Sequence, residues 1–194
     1  MKESKIYSKK KNLALIKEKN KKIGHLLDII FIALFTALIS VSAQITIPTM
    51  VPFTLQTLGV FISSALLGCK RGTISVLIYI LLGIIGLPVF SGFSSGIGKL
   101  LGPTGGYIVG FILTAIIVGL MCDLLGRKLW VLITSMTAGL LLCYLLGTIW
   151  FCIFSQTDFL SALTFCIFPF LITDGAKIIV ASMLVSRLNK IVEL

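Results

Sequence analysis

The chain has 194 residues, of which 57% are hydrophobic and 12% are charged, and its mean hydropathy is +1.10. About a quarter of the residues of a soluble domain are charged, so this chain cannot cover its surface with groups that water solvates. The composition excludes a soluble globular domain and predicts one domain in lipid, with a formal net charge of +10.

Apolar runs near 20 residues long, the length that a helix needs to cross a bilayer, recur along the chain. A transmembrane β-barrel would instead show alternating strands of about ten residues. Proline is tolerated at the first position of a helix and disrupts it further in, so Pro169 is expected to begin the last helix and residues 159–168 to form a short interfacial piece. The sequence predicts an all-α, polytopic bundle, whose six membrane helices cover residues 29–47, 53–69, 73–90, 107–125, 129–154 and 169–188.

The positions of the cations predict the orientation of these helices. Lysine and arginine are enriched in cytoplasmic loops. With the N-terminus inside, the cytoplasmic ends of the helices carry all of the 17 cations except Lys99 and Lys177. Both termini are therefore predicted to be cytoplasmic, with residues 1–25 as a basic tail and residues 26–190 as the transmembrane domain.

Lys177 follows Asp174 by three residues in the last predicted helix, so the two side chains share one helix face. Ionisable groups inside a membrane are costly and usually face the bundle interior or a wet cavity. One interpretation is a salt bridge that holds helices together. The other is the polar floor of a pocket open to the outside, with an acceptor and a donor for a small ligand that has adjacent N–H and C=O groups.

A glycine-rich stretch, SGFSSGIGKLLGPTGG, covers residues 91–106. Glycine permits close approach of the backbone, and irregular backbone near a membrane is tolerated where it lines a cavity. It is not a phosphate-binding loop, because Lys99 is followed by Leu100 and the GxxxxGK[ST] spacing is missing. Lys99 is then either a solvated loop charge or the partner of a ligand carboxylate.

Other polar and small residues also have two interpretations. The amide of Gln56 would be poorly solvated in lipid, so it is expected to face protein or a cavity. Tyr107 is either an interfacial belt residue or part of the same cavity. The small residues Ala33 and Ala37 are four apart and allow close helix approach, either inside the bundle or against a partner membrane subunit.

The sequence gives poor support for an intramembrane enzyme. The chain has no HExxH motif of a metalloprotease, and His25, before the first apolar run, is its single histidine, which does not favour a serine-triad hydrolase. A lipid-headgroup transferase would need clustered cytoplasmic acids for a metal, whereas Asp28 and Asp123 look isolated in the sequence. A secondary transporter or channel would more often show internal repeats or a polar path through the bilayer.

The five cysteines form no CxxC pair and are interpreted as small packing residues.

The sequence resembles the BioY family, the biotin-specific substrate-binding (S) components of energy-coupling factor (ECF) vitamin transporters. The resemblance rests on GLPVF at residues 86–90, GPTGGYIVGF at 102–111, VPFTLQTLGV at 51–60 and DGAK at 174–177. It covers about residues 26–190. One departure is Ile172-Thr173, where the family often has Pro-Gly before the aspartate.

The resemblance implies a six-helix, non-enzymatic transport protein of the cell membrane that captures biotin from outside. It implies a separate transmembrane coupling subunit and two cytosolic ATPase subunits, which hydrolyse the ATP. No cofactor, metal or nucleic-acid partner is expected for this chain, whose other partner is membrane lipid. The alternatives are a solitary carrier of biotin or a related vitamin, and an intramembrane enzyme.

The resemblance carries Asp174 and Lys177 over as pocket residues, and a hypothesis built on it assigns roles to individual residues. Asp174 is expected to accept hydrogen bonds from the ureido N–H groups of biotin, and Lys177 to donate to the ureido carbonyl. Lys99 would pair with the valerate carboxylate. Gln56 and Tyr107 would add polar contacts, Phe90 and Phe93 would pack on the bicyclic ring, and Ala33 and Ala37 would dock the coupling subunit.

Overall fold

The computed structural model describes residues 2–47 and 51–191, with side chains described for residues 21–47 and 51–189. The fold is an all-α bundle with one two-stranded antiparallel sheet, in which Thr46 pairs with Thr54 and Ile47 with Phe53. The elements in chain order are α1 (Lys2–Gln44), β1 (Thr46–Ile47), β2 (Phe53–Thr54), α2 (Gln56–Ile84), a 3-10 turn (Ser91–Phe93), α3 (Ile97–Leu101), α4 (Gly105–Leu125), α5 (Leu129–Ser155), α6 (Phe159–Cys166) and α7 (Leu171–Ile191).

Helix α2 is not one straight rod, because its chain reverses at Gly68. Gly68 has φ +78° and ψ −178°, a conformation that favours glycine. Residues 64 and 72 would lie about 12 Å apart along a straight helix. Instead, a Cβ on Gly72 would lie 2.7 Å from the Cα of Ser64. The helix thus consists of a first arm, residues 56–67, and a second arm, residues 69–84, which lie antiparallel.

Two side chains of the α4–α5 region hold this reversal. Asp123 accepts a hydrogen bond from the backbone N–H of Cys69 across 2.8 Å. Arg127 donates from Nε to the carbonyl of Ala65 at 2.7 Å and from Nη2 to that of Leu66 at 3.0 Å. Helix ends leave backbone groups without intrahelical partners, and these two residues satisfy several of them. Asp123 looked isolated in the sequence, but it caps the second arm of α2.

In the described part of the chain, four helices are long and apolar enough to cross a membrane, or five if the pair α6–α7, bent by 51°, is one span. That count takes α2 as a single helix. The predicted six spans and the predicted orientation of the termini stay predictions. The expected break before the last helix is present, since α6 ends at Cys166 and α7 begins at Leu171. The boundary expected at residues 25–26 lies inside the continuous helix α1.

Small residues bring the helices of the bundle close together. A Cβ on Gly119 of α4 would lie 2.4 Å from the Cα of Cys69, and one on Gly110 would lie 2.9 Å from the Sγ of Cys143. Cys122, Cys143 and Cys166 are buried with free thiols, as expected for packing residues. Large apolar side chains cover the outside, which suits a lipid solvent.

Candidate functional site

A narrow cavity of about 70 Å³ lies where the glycine-rich segment meets the ends of the helices. Its walls come from the β1–β2 connection, both arms of α2, the segment before α4, and helices α4, α5 and α7. Five of the seven predicted binding residues line it, namely Gln56, Phe90, Lys99, Tyr107 and Asp174. The tertiary structure therefore gathers residues that are up to 118 positions apart in the sequence.

Asp174 lies in the first turn of α7 and is 3% exposed. Its Oδ2 accepts a hydrogen bond from the hydroxyl of Tyr144 on α5, across 2.5 Å. Its Oδ1 accepts from Lys177 at 2.6 Å and from the hydroxyl of Thr57 at 3.5 Å. A carboxylate has about four acceptor positions, so Asp174 keeps capacity for a further donor from the cavity that it lines.

Lys177 lies behind Asp174 and is outside the set of residues that line the cavity. Its Nζ donates to the carbonyl of Thr54 at 2.6 Å, to Oγ1 of Thr57 at 3.2 Å and to Asp174. The same atom lies 4.2 Å from the ring centroid of Phe53. An ammonium group has three donors, and all three are engaged within the protein. In this structure Lys177 therefore joins α7 to residues 53–57 and orients the Asp174 carboxylate.

The opposite arms of α2 supply a second polar contact. Nε2 of Gln56 donates to the hydroxyl of Tyr79 across 2.9 Å, and both side chains line the cavity. The ring of Phe90 packs edge-on against Tyr79, with centroids 5.6 Å apart. A Cβ on Gly83 would lie 2.1 Å from the Phe90 ring, so glycine at this position makes room for it. Phe90 forms an apolar wall of the cavity, as expected for a residue that would pack on the ring of a ligand.

Tyr107, in the first turn of α4, is buried against α5 and is not exposed on the outside of the bundle. Its hydroxyl lies 3.4 Å from Oγ1 of Thr148. A Cβ on Gly147 would lie 2.3 Å from two atoms of the Tyr107 ring, so this glycine admits the ring into the α5 surface. The structure thus supports the cavity interpretation of Tyr107 over the interfacial one.

The GPTGG segment is docked on α5. The indole Nε1 of Trp150 donates to the carbonyl of Gly102 across 2.9 Å. A Cβ on Gly106 would lie 2.3 Å from the Cβ of Trp150, so only glycine permits this approach. Next to it, Thr104 lines the cavity, and its buried Oγ1 has no hydrogen-bond partner in the described part of the chain. A buried hydroxyl without a partner is rare, and a bound ligand would satisfy it.

Gln44, at the end of α1, holds the segment that carries Phe90. Its Nε2 donates to the carbonyls of Pro88 and Phe90, at 3.3 and 3.2 Å, and its Oε1 accepts from the N–H of Phe93 at 2.8 Å. The side chain of Phe93 itself is 70% exposed and does not line the cavity. The predicted packing of Phe93 on a ligand ring therefore finds no support in this geometry.

Sequence reasoning missed several residues of the cavity and its surroundings, among them Tyr79, Thr104, Tyr144 and Gln44. Tyr144 and Tyr79 lie within long apolar runs, where a tyrosine looks like an ordinary packing residue. Thr104 lies in the glycine-rich stretch, where the glycines and Lys99 were the residues interpreted. For Tyr79 and Tyr144, the one available signal was a hydroxyl group within an apolar helix.

The predicted docking residues Ala33 and Ala37 lie elsewhere, in a groove between α1 and the second arm of α2. Both are exposed, so neither is used for packing inside the bundle. Among the described residues there is no group of three or more histidine, cysteine or acidic side chains that could hold a metal ion. The cavity offers instead a carboxylate, hydroxyl groups, an amide, a lysine and aromatic walls, a set suited to reversible binding of a small polar molecule.

Comparisons with known proteins agree on one family. The family model described as "BioY family" matches residues 11–194. A biotin transporter BioY of Thermotoga maritima is 45% identical over 159 residues, which are 81% of this chain and 93% of the relative. A probable biotin transporter BioY of Pyrococcus horikoshii is 42% identical over 163 residues, or 84% and 96% of the two chains.

A solved structure has the same fold. The S-component for biotin from an ECF-type ABC transporter matches with a TM-score of 0.80 and 31% sequence identity, and the match covers 88% of this chain and 93% of the other. The family model, the curated relatives and the fold therefore lead to one conclusion: this chain belongs to the BioY family.

Proposed function

We propose that this multi-pass membrane protein is the substrate-binding component of an ECF vitamin transporter and captures biotin in the cavity lined by Asp174. The observation that carries the proposal is that a buried carboxylate with spare acceptor capacity faces an aromatic cavity. Biotin has two ureido N–H donors, an apolar bicyclic ring and a carboxylate. The cavity supplies an acceptor, aromatic walls and the cation of Lys99, and these three features match the three parts of biotin.

The contacts of Asp174 support a role in binding the ureido ring of biotin. Tyr144 and Lys177 hold its two oxygens from different helices, so the carboxylate is oriented before a ligand arrives. A hydrogen bond to a charged acceptor is roughly twice as strong as one between neutral groups. Lys177 would donate to the ureido carbonyl, as the sequence predicts, only by exchanging one of its present acceptors. Lys177 can position the Asp174 carboxylate while keeping all of its present hydrogen bonds.

Other residues would complete the binding site. Lys99 lines the cavity, and we expect its ammonium group to pair with the valerate carboxylate. The unpartnered hydroxyl of Thr104, the amide of Gln56 and the hydroxyl of Tyr107 are further polar groups at its walls. The cavity of about 70 Å³ is far below the roughly 300–1,000 Å³ of small-molecule sites, so biotin would enter by displacing wall residues.

Delivery of biotin to the cytoplasm would depend on other subunits. We infer that a transmembrane coupling subunit docks at the exposed Ala33 and Ala37 on α1, where small side chains allow close approach of a helix. Two cytosolic ATPase subunits would supply the energy. A solitary biotin carrier is the second candidate, and uptake of labelled biotin with and without the partner subunits separates the two.

Binding of radiolabelled biotin to the purified protein tests the proposal. We expect saturable binding by the natural sequence and at least about tenfold weaker binding after Asp174→Asn, because a hydrogen bond to a charged group contributes about 1.5–3 kcal/mol. Asp158→Asn is the matched control, since Asp158 caps α6 outside the cavity and asparagine is an equally good cap. Absence of biotin binding by the natural protein, or undiminished binding by folded Asp174→Asn protein, would refute it.

A further inference from the structure

A groove runs along the outside of the bundle between α1 and the second arm of α2, and we call it the α1–α2 groove. It has an apolar chamber of about 610 Å³ and a polar chamber of about 660 Å³. Ile29, Ile32 and Ile74 line both chambers, so the two are continuous. The groove shares no lining residue with the cavity that contains Asp174.

The apolar chamber is lined mainly by hydrocarbon side chains. Ala33, Ala37 and Val41 line it from α1, and Ile78 and Leu82 line it from α2. From Ile29 to Val41 the α1 side extends about 18 Å. This is close to one leaflet of the membrane, since the hydrocarbon core of the whole bilayer is about 30 Å thick. The chamber is therefore long enough to hold most of one acyl chain.

The hydroxyl groups on the floor of this chamber do not need a polar occupant. Oγ1 of Thr36 donates to the carbonyl of Ser75 at 3.1 Å, and Oγ of Ser40 donates to the carbonyl of Thr36 at 2.9 Å. Both bonds keep the hydroxyls engaged with backbone. An occupant that offers only hydrocarbon thus leaves no buried polar group unsatisfied here.

The polar chamber has more positive than negative side chains. Lys70, Arg71 and Arg127 line it together with two carboxylates, Asp28 and Asp123. Arg71 pairs with Asp28 at 3.0 Å but stays 41% exposed. Lys70 is exposed and forms no ion pair with any residue whose side chain the structure describes. Lys70 is therefore open to an anion, and the exposed part of the Arg71 guanidinium, beside its pair with Asp28, can add a donor to a phosphate.

We propose that the α1–α2 groove binds one anionic phospholipid, with an acyl chain in the apolar chamber and the phosphate headgroup at Lys70 and Arg71. The two chambers meet end to end, as the two parts of a lipid do. A soluble phosphate would leave the apolar chamber empty, and a purely apolar partner would leave Lys70 without a counter-charge. The lipid and a coupling subunit that docks at Ala33 and Ala37 would compete for this groove.

Native mass spectrometry of the detergent-purified protein tests this. Phosphatidylglycerol and phosphatidylcholine with identical acyl chains are titrated separately, and the first bound lipid is quantified. We expect one phosphatidylglycerol to bind more tightly than phosphatidylcholine. Lys70→Gln should weaken phosphatidylglycerol binding about fivefold, because one cation near an anionic lipid contributes about that factor. Biotin binding by this variant should be unchanged, so the lipid test and the test of the proposed function fail independently.

Two further variants separate the chambers. Lys128→Gln is the matched control, because Lys128 is exposed and does not line the groove. Ala37→Phe fills the apolar chamber and should weaken binding of both lipids. Equal affinity for the two lipids, or an equal effect of Lys70→Gln and Lys128→Gln, would overturn the proposal. Displacement of the lipid by excess glycerol phosphate would do the same, since it would show that the site recognises the anion alone.

Discussion

Tyr144 on α5 donates a hydrogen bond to Oδ2 of Asp174 on α7, across 2.5 Å, while Lys177 occupies Oδ1. The pair at positions 174 and 177 is therefore not a self-contained salt bridge on one helix. A third residue, 30 positions earlier in the chain, holds the carboxylate against the cavity wall. This geometry favours the pocket interpretation of the buried pair, because the orientation is set by two helices that both contribute to the cavity.

Removing the Tyr144 hydroxyl should weaken biotin binding without loss of the fold. Tyr144→Phe keeps the ring and deletes the bond to Asp174, so we expect a loss of about five- to tenfold, which corresponds to about 1 kcal/mol. Biotin and biotin methyl ester should lose equally, since Tyr144 acts at the Asp174 end of the cavity. Unchanged affinity for both ligands would show that the bond does not position the carboxylate.

Lys99 is expected to contact the carboxylate of biotin, at the end opposite the ureido ring. Lys99→Gln is expected to weaken binding of biotin about tenfold and to leave biotin methyl ester unaffected, because the ester has no carboxylate for the ammonium group to pair with. Lys128→Gln controls for loss of a surface charge. Equal losses for acid and ester would place Lys99 away from the carboxylate.

Gly147 should be needed for the position of Tyr107. A Cβ in Gly147→Ala would lie 2.3 Å from the Tyr107 ring, so the ring must shift and biotin binding should fall. Overpacking of this kind typically costs about 1–3 kcal/mol. Gly175→Ala is the control, because its Cβ would meet no atom within 4 Å. Binding titrations and thermal unfolding of both variants check the expectation, and equal behaviour of the two would contradict it.

The reversal of α2 should be sensitive to a side chain at Gly68. Gly68 and Gly126 share a φ of +78° with an extended ψ, but only at Gly68 would a Cβ meet another group, 2.4 Å from Oδ1 of Asp123. Gly68→Ala should therefore lower the unfolding temperature more than Gly126→Ala does. Both variants share the backbone strain of this glycine-only conformation, which is on the order of 1–3 kcal/mol. Similar unfolding temperatures would show that the Asp123 contact does not hold the reversal.

Several residues of the site could be predicted from the sequence, because their placement depends on short-range spacing or on the chemistry of one side chain. Asp174 and Lys177 share a face because a helix places residues three apart on one side. Gln56 was predicted to face protein or a cavity because lipid would solvate its amide poorly, and it lines the cavity together with Phe90 and Tyr107. The placement of Phe93 outside it depends on a single backbone turn in a glycine-rich segment, which no periodicity predicts.

The sequence by itself determined that this protein lies in lipid, because its composition has too few charged residues for a soluble domain. It also determined that Asp174 and Lys177 share a helix face, because that depends only on their spacing. The tertiary structure decided which groups meet. Only packing of α5 on α7 brings Tyr144 to Asp174, and only the reversal at Gly68 brings Gln56 to Tyr79. It also turned all three donors of Lys177 inward. Contacts between distant helices depend on how whole surfaces fit together, and that information is not carried by the spacing of residues along one helix.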